Sequence, residues 1–355
     1  LLAVNRHVVG HAGQQGGGKE MTDAERPIGE AVAAHRHPGT LGDGIVDLAL
    51  DLRHSGLVDE RTHANAFVHP VAGPHSADAL DPRPIGEVFT SDPRVAKLTF
   101  TGSTAVGRQL AGAAAGNLKR VSVELGGHAP FIVFPDADPA RAAKGAAALK
   151  FLNSGQACIS PNRLYVHSSG ADAFVDTMVE RVGRVRAGNG MDDGVGVGPL
   201  VNEAAVAKVE RQVDDAVAKG AGVPVGGHRL TDAPFGDGHF FAPTLLTDVT
   251  DDMTIYREET FGPVAPIVGY DDVETVLDLA NDTKYGLAAY VYTQNLTTAF
   301  RAFEGLRFGI IGVNDVNPTS AAAPFGGMGD SGLGREGGHE GIAEYLETKL
   351  GGFAL

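Results

Sequence analysis

A single cysteine and no tryptophan stand in a chain of 355 residues, and aromatic residues make up only 6 % of it. One thiol cannot close an internal disulfide. That excludes a disulfide-stapled scaffold and fits a reducing compartment, the cytoplasm. Positive charge is scarce as well: 29 Lys and Arg stand against 44 Asp and Glu, a net charge of −15. Such a balance argues against nucleic acid and anionic membrane as partners. No apolar run reaches the ~20 residues that span a bilayer, and Leu1 opens no signal peptide. With 43 % hydrophobic and 21 % charged residues, the chain reads as a soluble globular protein of one large domain or two to three smaller ones. A first residue of Leu rather than Met is what a fragment or an incomplete gene product would show.

The composition changes near residue 83. Eight of the 13 histidines fall in residues 1–82: His7, His11, His35, His37, His54, His63, His69 and His75. Glycine and charge are scattered there with little sustained period, and only 43–52, DGIVDLALDL, looks packable. Gly16-Gly17-Gly18-Lys19 has the residue types of a phosphate loop, but the spacing is wrong and no strand leads into it. His35 and His37 lack further ligands at a metal-binding spacing, so a solvated loop is the better reading and no metal is expected. Residues 1–82 are therefore expected to be irregular or foreign to the fold, as a shifted reading frame or a misjoined gene would produce.

From Arg83 the pattern is orderly. RVAKLTF (94–100) predicts a strand that feeds a helix in which Val106, Leu110 and Ala113 recur at helical spacing. RVSVEL and PFIVF predict strands. Asp138 before Pro139 predicts a capped helix with Ala142, Ala146 and Leu149 inside. Phe174, Met178, Val182 and Val185 mark the face of another helix. Asn202 should cap a third, with Val206, Val209, Val213 and Val217 inside and Gly220 at its end. VAPIV, AAYVY and GIIGVN predict short buried strands. Alternating strands and helices indicate an α/β protein with largely parallel sheets.

The lone cysteine lies in LKFLNSGQACISPNRLYV (149–166). Taken alone, Cys158 is either a small buried hydrophobe or a nucleophile. Three further motifs bear on the choice. FTGSTAVG (100–107) is a strand–turn–helix whose Gly102 and Ser103 stand at a helix N-terminus, a place suited to a pyrophosphate and equally common as plain α/β architecture. VELGGHAPFIV (123–133) puts Glu124 at a strand end before Gly126-Gly127, as a general base or as a surface carboxylate. REETFGPVAPIV (257–268) sets Glu258 and Glu259 before Phe261-Gly262-Pro263, an acidic pair able to hold a ribose diol or simply a solvated loop end.

Together with ANDTKYGLAAYVYT (280–293) and PFGGMGDSGLGREGG (324–338), these motifs resemble the NAD(P)-dependent aldehyde dehydrogenase family, over about residues 83–355. The resemblance implies an incomplete Rossmann-like cofactor domain, a catalytic α/β domain with a parallel sheet, and a C-terminal oligomerisation strand. It divides the chain into 1–82 (atypical), 83–126 (the remaining cofactor domain), 127–315 (the catalytic domain) and 316–355 (a return to the cofactor domain, ending in the oligomerisation strand). It implies that Cys158 is the nucleophile and Glu124 the general base, with Asn153 where the family also places an asparagine. Gly102, Ser103, Leu125, Glu259 and Phe261 would address NAD or NADP. The expected partners are a small aldehyde and further copies of the chain, as a dimer or tetramer.

The family's Trp-Asn-Phe-Pro and Lys-Pro motifs have no counterpart here: the chain lacks Trp, and Lys19 is the only lysine in 1–82. A second oxyanion donor and an adenosine-ribose partner are therefore not in view, and activity is expected to be impaired. The later motifs look most like the succinate-semialdehyde dehydrogenase branch. Where that branch carries a carboxylate-binding arginine, six residues before the cysteine, this chain has Leu152. Thr319 and Ser320 are the remaining candidates for the substrate mouth. The alternative is a catalytically inactive subunit of the same fold. An acyl-CoA-forming relative fits less well, because Glu124 is present to activate water.

Overall fold

The computed structural model describes residues 83–236 and 238–354, together with the backbone of one strand at 64–68. Two sheets organise these residues. The smaller joins β1 (Ala64–Val68), β2 (Val95–Thr101) and β3 (Arg120–Glu124) in parallel, and a two-residue strand, Gly332–Leu333, pairs antiparallel with the end of β3. Helix α1 (Arg83–Ser91) precedes β2, and α2 (Thr104–Ala115) joins β2 to β3. The reading of 1–82 as irregular did not foresee β1. The rest of that segment, with the glycine–lysine run and the His35/His37 pair, lies outside the described residues.

The larger sheet has seven strands. They are β4 (Ala129–Val133), β5 (Pro161–His167), β6 (Gly222–Val225), β7 (Thr244–Thr247), β8 (Val264–Tyr270), β9 (Ala288–Tyr292) and β10 (Ile310–Val313), in the spatial order β10-β9-β4-β5-β8-β7-β6. All neighbours are parallel except β6 and β7. The molecule is thus α/β with parallel-rich sheets. Central β4 is buried along its whole length, as a parallel strand covered on both faces must be. Side chains alternate between the faces. Phe131, Val133, Leu164 and Val166 join one core, with Ala142, Ala146, Phe174 and Met178 of α3 (Pro139–Lys150) and α4 (Ala171–Val182). Ile132 and Tyr165 join the other, with Val206, Val209 and Val213 of α5 (Glu203–Ala218).

The helix ends follow the local chemistry. Asp138 accepts from the N–H of Ala140 and Arg141, with Pro139 at the first position. Asn202 accepts from Ala205. Two predicted faces need correction. In α2 the buried residues are Gly107 and Ala114, while Val106 is exposed. The helix approaches β3 so closely that a Cβ on Gly107 would lie 2.3 Å from Leu125 Cδ2. In α5 the buried stripe runs through Val206, Val209, Val213 and Ala216. Val217 has turned past that stripe and is exposed. Among the described residues, no helix is long and apolar enough to cross a membrane.

Candidate active site

The cysteine loop begins where α3 ends. Asn153, Ser154 and Gly155 are three successive left-handed residues, with φ of 49°, 59° and 73°. Only Gly takes that conformation without strain, and a Cβ on Gly155 would stand 2.1 Å from the Gly262 carbonyl oxygen. The other two are held by hydrogen bonds. Asn153 Nδ2 donates to the Gln156 carbonyl at 2.9 Å, and Ser154 Oγ both donates to and accepts from the Gly198 main chain. Gln156 Oε1 accepts from Val201 N at 2.9 Å. The loop is therefore tied to 198–201, and Cys158 stands half-buried at its end.

The Gly126-Gly127 turn lies directly against this loop. A Cβ on Gly127 would meet the Cys158 carbonyl oxygen at 2.0 Å, and one on Gly126 would meet Glu259 Oε2 at 2.6 Å. No other residue fits at either position without displacing the Cys158 backbone or that carboxylate. Glu259 Oε1 accepts from Gly127 N at 2.9 Å. Ser331, fully buried, donates its hydroxyl to the Gly126 carbonyl at 2.7 Å and accepts from Leu125 N through its own carbonyl at 3.0 Å. Sequence reasoning did not single out Ser331. Its position inside the glycine-rich run after Phe325, where side chains are few, was the available signal.

Glu124 ends β3 almost completely buried, and its Oε2 has no hydrogen-bond partner. A second glycine-rich segment closes over it. Phe325 and Glu336 pair through both main-chain bonds, and a Cβ on Gly326 would lie 2.8 Å from Glu124 Oε1. Burial pushes the Glu124 carboxyl up to about 8, with the Glu336 charge adding to the shift and Arg335 opposing it. Burial likewise pushes the Cys158 thiol up to about 11. The Glu124 and Glu259 charges act in the same direction, while the N–H groups of Cys158 and Ile159 favour the thiolate. Both groups are therefore mainly protonated at neutral pH, so Glu124 does not hold the resting thiol ionised.

The remaining candidates are placed as follows. Ser103 caps α2, its Oγ accepting from Val106 N at 3.4 Å, which leaves the hydroxyl proton free to donate outward. Gly102 N donates to the Glu124 carbonyl at 3.0 Å, so the helix start and the end of β3 form one edge. The Leu125 side chain is buried in the small core with Phe100 and Val123 and its N–H is taken by Ser331, so only its carbonyl is left to address a ligand. Glu259 feels the charges of Lys208, Lys150 and Lys284, which oppose the upward shift that burial causes. Phe261 stands at φ 52°, partly exposed, and Glu258 is exposed. Leu152 is 56 % exposed at the head of the cysteine loop. Thr319 and Ser320 are not tied to that loop: the Thr319 hydroxyl donates to Asn317 Oδ1 and the Ser320 carbonyl accepts from Ala323 N. The site thus joins a thiol, a buried carboxyl near neutrality and an open helix N-terminus. This donor set fits the pyrophosphate and nicotinamide-ribose end of a dinucleotide.

Comparison with known proteins covers the same stretch of the chain. The model of the aldehyde dehydrogenase family matches residues 80–350. The chain is 49 % identical over 265 residues to the NADP(+) succinate-semialdehyde dehydrogenase of Escherichia coli strain K12, covering 75 % of this chain and 54 % of that protein. It is 48 % identical over 273 residues to a glutarate-semialdehyde dehydrogenase of Pseudomonas aeruginosa, covering 76 % of this chain and 55 % of that protein. In three dimensions it is similar to an aldehyde dehydrogenase from Brucella melitensis biovar abortus 2308, with TM-score 0.73, 48 % identity, and coverage of 76 % of this chain and 55 % of that one. The chain spans about half the length of the curated relatives it matches.

Proposed function

Because the chain belongs to the aldehyde dehydrogenase family, we propose that it oxidises an aldehyde to the carboxylic acid with NAD or NADP, using Cys158 as nucleophile and Glu124 as general base. The observation that carries this reading is the contact between the Gly126-Gly127 turn and the Cys158 carbonyl, which sets the end of the Glu124 strand against the cysteine loop. The ionised fraction of Glu124 takes the thiol proton, directly or through water, and passes it to solvent as Cys158 Sγ attacks the aldehyde carbon. The new oxyanion faces the Cys158 N–H. A bound nicotinamide supplies the hydride acceptor for that carbon, and the thiohemiacetal becomes a thioester. Glu124 then takes a proton from water whose oxygen attacks the thioester. The C–S bond breaks, and acid and thiol are released. Ser103 and Gly102 would hold the pyrophosphate, Glu259 the nicotinamide ribose, and Phe261 with the Leu125 backbone the ring.

The names of the relatives, succinate- and glutarate-semialdehyde dehydrogenase, support a carboxylated aldehyde. The exposed Leu152 supports a looser hold on its carboxylate. The domain division at 126 and 315 draws support from the two sheets, because the small strand at Gly332–Leu333 returns to the β1–β3 sheet. The C-terminal segment would serve assembly into homo-oligomers. A second reading, an inactive subunit, is favoured by the thiol standing at about 11. The test is Cys158→Ala, expected to lose aldehyde oxidation and only ~1 kcal/mol of stability. Turnover surviving in that variant removes the nucleophile. Absence of turnover in the parent chain, with Cys158 alkylated no faster than a model thiol at neutral pH, favours the inactive subunit.

A further inference from the structure

A buried lysine lies beneath this site and takes part in none of the steps above. Lys150 is the last residue of α3, eight positions before Cys158, and it is fully buried. Its Nζ donates to Asn162 Oδ1 at 2.7 Å. Burial pushes the ammonium down to about 7, with the Glu259 charge opposing and Lys208 adding to the fall. Asn162 is aimed by a bulge: Ala129 pairs with Pro161 and Pro130 with Arg163, so Asn162 is the extra residue. Pro130 has no N–H to give a regular ladder, and a bulge is where a central strand tolerates it.

A lysine ammonium can only donate, whereas a primary amide has one accepting and one donating end. The lysine therefore decides which way the amide faces. With Oδ1 turned to Lys150, Nδ2 points to the Gly127 carbonyl at 3.4 Å. The Gly127 N–H holds Glu259 Oε1, and Gly127 Cα supports the Cys158 carbonyl. The Lys150 carbonyl oxygen, in turn, lies 3.2 Å from the Cβ position of Gly155. We propose that Lys150 is a positioning residue: by orienting Asn162 it fixes the Gly126-Gly127 turn, and through that turn both the Cys158 backbone and the Glu259 carboxylate. The inference deepens the proposed function, and its cofactor arm rests on that reading.

The test uses the full chain and the alkylation of its one thiol by iodoacetamide, which reads Cys158 alone. Lys150→Met keeps the volume and removes the donor, while Lys150→Gln keeps an N–H for Asn162. If the turn is held as described, the Met variant lets water reach the thiol and alkylates about fivefold faster, and the Gln variant returns to within about twofold of the parent. Should both fail to fold, Asn162→Asp serves instead: it still accepts from Lys150 but has no N–H for Gly127, and it should behave as the Met variant does. Equal alkylation rates in the parent and in Lys150→Met (or in Asn162→Asp, where that variant is the one measured) overturn the proposal, because a lysine that only fills space would shift the melting temperature alone. In the second arm, calorimetric titration with NAD+ and NADP+ should show about tenfold weaker binding in Lys150→Met. A parent chain that binds neither removes the cofactor reading and leaves Lys150 to be decided by the alkylation arm.

Discussion

The role proposed for Glu124 sets two opposing demands. Water activation needs a carboxylate, yet burial and Glu336 hold the acid form up to about 8. If hydrolysis of the thioester limits turnover, the rate should climb about tenfold per pH unit and level off above about 8. A profile already flat at pH 6 would remove Glu124 from that step. The same shift has a consequence for stability. The unfolded carboxyl ionises near 4.5 and the folded one near 8, so across that window the folded state holds the extra proton and stability falls as pH rises. Glutamine has no proton to lose. The melting temperature of Glu124→Gln should therefore gain on the parent between pH 4.5 and 8 and keep a constant lead above that. A constant difference at every pH would mean that Glu124 ionises as freely as it does in water. At Leu152 the expectation concerns specificity. Leu152→Arg should raise kcat/KM for succinate semialdehyde relative to butanal, and an unchanged ratio would place the substrate carboxylate elsewhere.

At the scale of elements, the cysteine loop is defined by backbone geometry more than by side chains. Gly155→Ala forces a Cβ into a left-handed position at ~1–2 kcal/mol and against the Gly262 carbonyl. It should slow Cys158 chemistry together with a drop in melting temperature. An unaffected variant would show that the loop re-forms without that contact. α4 is held differently, by packing: Phe174 is fully buried between that helix and the larger sheet. Phe174→Ala should cost about 3–5 kcal/mol in urea unfolding, with the site geometry kept in whatever fraction remains folded.

At the scale of the molecule, the C-terminal segment is docked at one end and free at the other. Lys97, buried on β2, reaches Ser122 and Glu344 and sits over the Tyr345 ring at 4.8 Å. Arg120 donates to the Leu346 carbonyl and pairs with Glu347. Beyond that clamp, Leu350 and Phe353 are 97 % and 91 % exposed. Apolar side chains so fully open to water fit a segment that a second copy covers, as the proposed assembly role requires. Deleting residues 349–355 should then reduce the mass measured by sedimentation to that of a monomer while Cys158 reactivity persists. An unchanged mass would assign the interface to another surface.

The sequence by itself determined β2, β3, β4, β8, β9 and β10 and helices α2 to α5, because apolar spacing, the Asp138 and Asn202 caps and the Gly220 stop are local signals, while α1, β5, β6 and β7 were not read from it. It determined the family too, since the motifs around Glu124, Cys158 and Glu259 are contiguous text. Tertiary structure decided what depends on neighbours from distant parts of the chain. The buried face of α2 was set by the close approach of Leu125 to Gly107, which no helical spacing encodes. The protonated resting state of Cys158 and Glu124 follows from burial and from Glu259 and Glu336, which lie far along the chain. The roles of Ser331, Asn162 and Lys150 arose only once the chain had folded back on the Gly126-Gly127 turn. A hydrogen bond needs two partners at about 3 Å, and only the folded chain brings residues so far apart in sequence to that distance.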